Sequence, residues 1–140
     1  MPKVIFDTVV FVRSLINPHS FWGKIIFEYS SKYRLFVSSQ ILIEILEVLK
    51  RPEIIAKFRT IEGRDIRKIL EIISHAEVVE ISGIPQVSRD IKDDKFLACA
   101  TQAKADYLIS ADRDLLDLKE YKGILIIDGE TFLKLLEEQQ

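Results

Sequence analysis

Residues 105–115 read Ala105-Asp106-Tyr107-Leu108-Ile109-Ser110-Ala111-Asp112-Arg113-Asp114-Leu115. A short, unbroken apolar run, Tyr107-Leu108-Ile109, gives way to a serine, and Asp112 and Asp114 follow closely. A strand that is apolar throughout, rather than at every second position, is what a sheet covered on both faces requires, and parallel sheets are covered that way. Four further runs have the same character: Val4-Ile5-Phe6, Leu35-Phe36-Val37, Val78-Val79 and Ile124-Leu125-Ile126-Ile127. The first of them also leads directly to an acid, Asp7. Ligands in parallel α/β sheets collect at the carboxyl ends of the strands. Acids just past two strand ends can therefore meet at one edge of the sheet.

Helical segments fill the spaces between the runs. They are expected over Phe21 to Lys32, Ser38 to Lys50, Arg64 to His75, Asp94 to Lys104, and from an Asp128 cap to about Glu137. Ser38 or Ser39 suits the N-cap of the second, and Pro52 stands just past its end. The order β-α-α-β-α-α-β-α-β-β-α predicts a three-layer α/β/α sandwich with a central parallel sheet of about five strands. The connection Ser110 to Gly123 is the part this pattern defines least. With no repeat, low-complexity stretch or Gly/Ser linker, residues 1–140 are expected to form a single domain.

Composition narrows the function class. The chain is 48% hydrophobic and 30% charged, as globular proteins are. Its apolar runs fall far short of the roughly 20 residues that span a bilayer, so no membrane partner is expected. The first residues enter a strand-like run without a basic region and a long apolar stretch, so no signal peptide is expected. Cys99 is the only cysteine, which excludes an internal disulfide and a Cys-rich zinc site and fits a reducing cytoplasm. A net charge of −2 argues at first against a nucleic-acid partner. Setting aside five of the 22 acids as metal ligands leaves 17 against 20 bases, a mildly basic remainder that permits phosphate contacts.

Two more acids join the strand-end ones. On a helix with about 100° per residue, Ile41, Leu42, Ile45, Val48 and Leu49 form one broad apolar arc. Glu44 lies at its border and is expected to be partly buried, whereas Glu47 points further toward solvent. Asp94 opens a segment whose inward face is Phe96, Cys99, Ala100 and Ala103; a carboxylate is favoured at that helix end and can cap it or reach a metal. Asp93 reads as no more than its neighbour. Structural readings compete throughout: Asp7 as a helix cap, Asp112 and Asp114 as turn residues, Asp128 as a cap. Several carboxylates gathered in one place repel one another, and a hard divalent cation such as Mg²⁺ or Mn²⁺ offsets that cost and can serve phosphodiester hydrolysis. Arg13, Lys95 and Arg113 stand near these acids in sequence, as candidate phosphate contacts or as ordinary surface charge. His19 and His75 have no convincing partner and read as surface residues. The apolar Phe21, Trp22, Ile25, Ile26, Phe27 and Tyr29 read as core, part of which could serve as a dimer surface.

At these residues the sequence resembles the PIN domain family, close to the VapC-like toxin ribonucleases. Four segments in order carry the likeness: Val4-Ile5-Phe6-Asp7-Thr8, Ser38 to Leu49 with Glu44, Asp93-Asp94-Lys95-Phe96-Leu97-Ala98-Cys99-Ala100 with Asp94 at the matching position, and Ala105 to Leu115 with Asp112. The resemblance implies a Mg²⁺- or Mn²⁺-dependent endoribonuclease acting on single-stranded RNA. It implies Asp7, Glu44, Asp94 and Asp112 as metal ligands and catalytic residues, Asp114 assisting directly or through water, and the hydroxyls of Thr8 and Ser110 in support. It further suggests a cognate antitoxin and a homodimer. The family commonly opens Asp-Thr-Asn where this chain has Asp7-Thr8-Val9, a departure that removes one polar group beside the ligands. That departure is the only support for an inactive RNA- or protein-binding module. A metal-dependent phosphatase is the third reading, and the Asp-x-Asp opening of one large phosphatase family is absent.

Overall fold

The computed structural model of the chain describes residues 1–58, 63–81 and 93–139. The strands are β1 (Lys3–Phe6), β2 (Arg34–Ser38), β3 (Glu77–Val79), β4 (Tyr107–Ile109), β5 (Glu120–Tyr121) and β6 (Ile124–Ile127). The helices are α1 (Thr8–Ile16), α2 (Phe21–Phe27), α3 (Ser39–Leu49), α4 (Pro52–Phe58), α5 (Gly63–Ser74), α6 (Asp94–Ala103), α7 (Arg113–Leu116) and α8 (Gly129–Glu138). The strands form one sheet in the order β3-β2-β1-β4-β6-β5. All neighbours are parallel except β5 and β6.

All five expected strands are present, and the sheet is the expected α/β type flanked by helices. The sheet of about five strands is as expected; a sixth, the two-residue β5, lies in the connection before Gly123 that the sequence pattern defined least. Its cause is a two-residue turn, Lys122-Gly123, with φ of 50° and 84°. Positive φ at both central residues suits the tight turn that folds one strand back on the next, and glycine adopts it without penalty. One correction concerns the segment from Phe21 to Lys32. The α-helix ends at Phe27 and a short 3-10 turn, Ser30–Lys32, follows. Two short helices, α4 and α7, had no periodicity long enough to announce them.

Caps begin the helices where the sequence offers short polar side chains. Ser20 accepts from the Gly23 amide, Ser38 from Ile41 and Asp128 from Thr131. The Asp128 cap is thus as expected. Gly23 is required by packing: a Cβ there would lie 2.0 Å from the Pro18 carbonyl oxygen, where α1 turns into α2.

The core lies on both faces of the sheet. Val4, Ile5, Leu108 and Ile109 are inaccessible, and Phe6, Tyr33 and Phe132 pack edge to face or tilted on one side. Trp22, Ile25 and Ile26 join this core as expected, while Phe21 is partly exposed. Cys99 is buried, and burial pushes its thiol up to about 12, which makes it an inert packing residue. Among the described residues, no helix is long and apolar enough to cross a membrane.

The strand order positions the site. The chain builds outward from β1 through β2 to β3, then returns to place β4 on the other side of β1. Neighbouring crossovers leave in opposite directions there, and the crevice outside the carboxyl ends of such a strand pair is the place where ligands bind. Phe6 pairs with Ile109 in register, and the Asp7 amide donates to the Ile109 carbonyl at 3.0 Å. Asp7 and Ser110 consequently leave the sheet side by side.

Candidate active site

Asp7 ends β1 and caps α1. One carboxylate oxygen accepts from the Val9 amide at 3.2 Å, and the other accepts from the Ser110 hydroxyl at 2.7 Å. The Ser110 oxygen in turn accepts from the Asp112 amide at 2.9 Å. Asp112 caps α7 through the Asp114 amide at 2.8 Å. A chain of hydrogen bonds through Ser110 therefore ties the Asp7 carboxylate, just past β1, to the backbone that follows β4. The cap reading of Asp7 holds and is compatible with the site reading, because a cap bond uses only part of a carboxylate's acceptor capacity.

Asp7 is only 8% exposed. Burial raises its carboxyl above the ordinary value; the Ser110 hydroxyl and the Val9 amide pull it back, and the charges of Asp112 and Glu44 add to the rise. The effect of Glu44 shows that α3 brings its acid into the same field. Glu44 is half-buried and Glu47 exposed, as the apolar arc predicted. Both Glu44 oxygens are engaged: Oε2 accepts from the Thr8 hydroxyl, and Oε1 pairs with the Lys95 ammonium at 2.8 Å.

The third acid needs a finer statement than the sequence allowed. Asp93 occupies the N-cap position of α6 without a side-chain cap bond, and it lines two clefts. One, of about 310 Å³, contains Asp7, Thr8, Glu44 and Arg51; the other, of about 240 Å³, contains Asp7, Arg13 and Asp112. Asp94, the residue singled out from the sequence, is fully inaccessible and lines neither. Among the described residues, Asp93, Asp112 and Asp114 offer carboxylate oxygens that all lie within 4.8 Å of one another. Of the remaining candidates, Thr8 and Ser110 are buried at the site. Arg13 is exposed at the rim of the smaller cleft, with its guanidinium 5.8 Å from the Trp22 ring centre. Arg113, His19 and His75 are exposed.

One signal for Asp93 was in the sequence. It stands three residues before Phe96 and seven before Ala100, on the inward stripe of α6. Leu97 and Ala98, on the stripe of Asp94, are buried as well. A helix buried on most of its faces gives no simple rule for choosing between adjacent acids.

The donor set suits a hard divalent cation. It is all carboxylate oxygen, the donor type such ions prefer. Oxygens on opposite sides of a Mg²⁺ ion stand about 4.2 Å apart, so a small side-chain adjustment brings this cluster to one ion.

A family model described as PIN domain matches residues 3–114. The chain belongs to the PIN domain family. A relative in Methanocaldococcus jannaschii, the uncharacterized protein MJ1680, is 32% identical over 128 residues, 91% of this PIN chain and 81% of that protein. The crystal structure of PAE2754 from Pyrobaculum aerophilum superposes with a TM-score of 0.57 at 20% identity, covering 99% of this chain and 91% of that one. VapBC2 from Rickettsia felis, bound to a DNA fragment from its promoter, gives 0.57 at 12% identity, covering 90% of this chain and 98% of that one. DNA-bound VapBC from Salmonella typhimurium gives 0.55 at 18%, covering 92% and 99%. These three share the PIN fold with this chain.

Proposed function

We propose that this PIN protein is a divalent-metal-dependent endoribonuclease that cleaves single-stranded RNA, the toxin of a toxin–antitoxin pair. The observation that carries the reading is the convergence of Asp7, Asp93, Asp112 and Asp114 at the β1–β4 switch point, in a family whose members are generally nucleases. Asp93, Asp112 and Asp114 hold Mg²⁺ or Mn²⁺, with Asp7 beside them. The third ligand is thus Asp93 in place of Asp94.

Bound there, the cation supplies Lewis acidity that polarises a phosphodiester and eases the ionisation of water. The chain's own residues do the rest. Ser110 orients Asp7 by donating to it, and it orients the start of α7 by accepting from the Asp112 amide. Asp112 is fixed by the Asp114 amide. Second partners of this kind set ligand direction and affinity. Arg13 and Arg51, at the rims of the two clefts, offer cations to the phosphates of an incoming strand. The site is open, which suits a polymer better than a small ester enclosed on all sides.

Likeness in fold to the VapBC assemblies supports a cognate antitoxin as partner, and the reading adds a homodimer. Labelled single-stranded RNA tests the core claim. The wild type is expected to cut it with Mn²⁺ or Mg²⁺ and not with chelator, and Asp7→Asn and Asp112→Asn to lose about 100-fold or more, the usual cost of disturbing a metal site. Turnover of a simple phosphate ester with intact RNA would indicate a phosphatase. RNA retained but uncut would indicate a binding module.

A further inference from the structure

Val9 marks the departure from the family's opening pattern, and it stands outside the buried core. Its neighbours Val10 and Phe11 are buried in that core, whereas Val9 is half-buried and lines both clefts. The larger cleft, of about 310 Å³, has an aliphatic lining. Val9 and Val12, three residues apart and so on one face of α1, supply part of it. Val48 near the end of α3 and Ile54 of α4 supply the rest. Asp7 and Glu44 line the same cleft, and the exposed Arg51, between α3 and α4, stands at its rim.

We propose that this cleft takes one nucleobase of the RNA strand, turned out beside the scissile phosphate, and that Val9 sets its fit. This rests on the RNA-cleaving reading above. The cleft shares Asp7 and Val9 with the smaller one, which Arg13 and Asp112 also line. A nucleotide whose phosphate lies at the acids therefore has its base within reach of the aliphatic lining. Proteins hold single-stranded RNA in this way, with unstacked bases laid on flat or apolar side chains and on arginine planes. A volume of about 310 Å³ is at the lower end for ligand clefts, which suits one base and not a longer segment. An aliphatic side chain of a protein partner would also cover the valines, but it would strip water from Asp7 and Glu44 and return no hydrogen bond. A base covers the valines with its face and offers those acids the donors on its edge, and a carboxylate keeps acceptor capacity beyond the bonds it already makes. Asparagine at position 9 would set a hydrated amide against the base face. Val9 is thus a specificity-determining residue that touches the base and not the reacting phosphate.

The test removes bases one at a time. The probe is a labelled single-stranded RNA in which successive single nucleotides are made abasic, so that every phosphate stays. Binding is read by fluorescence anisotropy in chelator, where nothing is cut, and cleavage as kcat/KM in Mn²⁺. For wild type, one abasic position beside the cleaved bond is expected to weaken both by about 10-fold or more, the usual worth of one stacked base. Val9→Asn is expected to cost intact RNA a similar factor and that abasic RNA nothing further, because two changes that remove one contact do not add. Val9→Ala, which keeps the lining apolar but draws it back, is expected to fall between, and thermal melting verifies that both variants fold. Equal losses for Val9→Asn on intact and abasic RNA would overturn the assignment. RNA cut equally well with any single base removed would also overturn it, leaving the nuclease reading in place and the cleft to a side chain of a protein partner. Base-dependent binding in chelator that Val9→Asn abolishes, with no cleavage in Mn²⁺, would support the base cleft and sink the nuclease reading. Neither binding nor cleavage of any RNA would overturn both.

Discussion

Asp7 ends a strand, caps a helix and faces two other acids, and these demands set its response to pH and metal. In metal-free protein its carboxyl titrates above the ordinary 3.8, chiefly because it is buried. Between the unfolded and folded values the native state holds a proton that the unfolded chain has released. Its contribution to stability therefore falls as pH rises through that window and stays reduced above it. Asp7→Asn removes the charge while keeping a good N-cap residue. In chelator near neutral pH it is expected to melt higher than wild type by on the order of 1 kcal/mol, and the gap should close as pH falls toward 4. A variant that melts lower near neutrality would mean that the Ser110 and Val9 hydrogen bonds outweigh burial. The positions of Asp7, Glu44 and Asp112 were legible because each stands beside a clear feature: a strand end, the border of an apolar arc, a strand end again. Which of Asp93 and Asp94 lines the clefts was not legible, because the residues that follow each of them on α6 are both buried. Nor was the Lys95–Glu44 pair, since no periodicity relates a residue of α3 to one of α6.

Elements were legible where apolar runs were long enough to carry a period. The five expected strands and the long helices qualified; α4, α7 and the two-residue β5 did not. The β5–β6 hairpin depends on turn chemistry instead. Gly123 sits at φ 84° with nothing within 4 Å of a built Cβ, so Gly123→Ala meets conformational strain alone. Its cost is expected to be about 1–2 kcal/mol in urea unfolding, with RNA cleavage unchanged, because the turn precedes β6 at the sheet edge opposite the acids. Gly23→Ala differs in kind. The new methyl meets the Pro18 backbone, and the loss should reach or exceed the roughly 1–3 kcal/mol typical of overpacking. Equal losses for the two variants would contradict this separation of strain from packing. Asp128 follows β6 on the same edge as the acids, yet its oxygen is committed to the Thr131 amide. Asp128→Ala is expected to cost about 1 kcal/mol and to leave cleavage by the folded fraction intact.

At the scale of the whole molecule, the strand order β3-β2-β1-β4-β6-β5 turns scattered acids into one site. The alternation of strands and helices in the sequence foretold a parallel sheet and hence an active edge. It did not reveal which strands neighbour β1, because that order is fixed by packing between distant segments. A cation that binds only the folded cluster stabilises the entire chain. Mn²⁺ at a hundred times its dissociation constant should add about 2.7 kcal/mol, removed by chelator and absent in Asp93→Asn. The central claim is that the cluster built on Asp7, Asp93, Asp112 and Asp114 cuts RNA. It is tested most directly by Mn²⁺-dependent cleavage of labelled single-stranded RNA by wild type, Asp93→Asn and Asp94→Asn side by side, each verified as folded. Wild type and Asp94→Asn are expected to cleave, and Asp93→Asn to lose about 100-fold or more. Cleavage retained by Asp93→Asn and lost in folded Asp94→Asn would contradict the account.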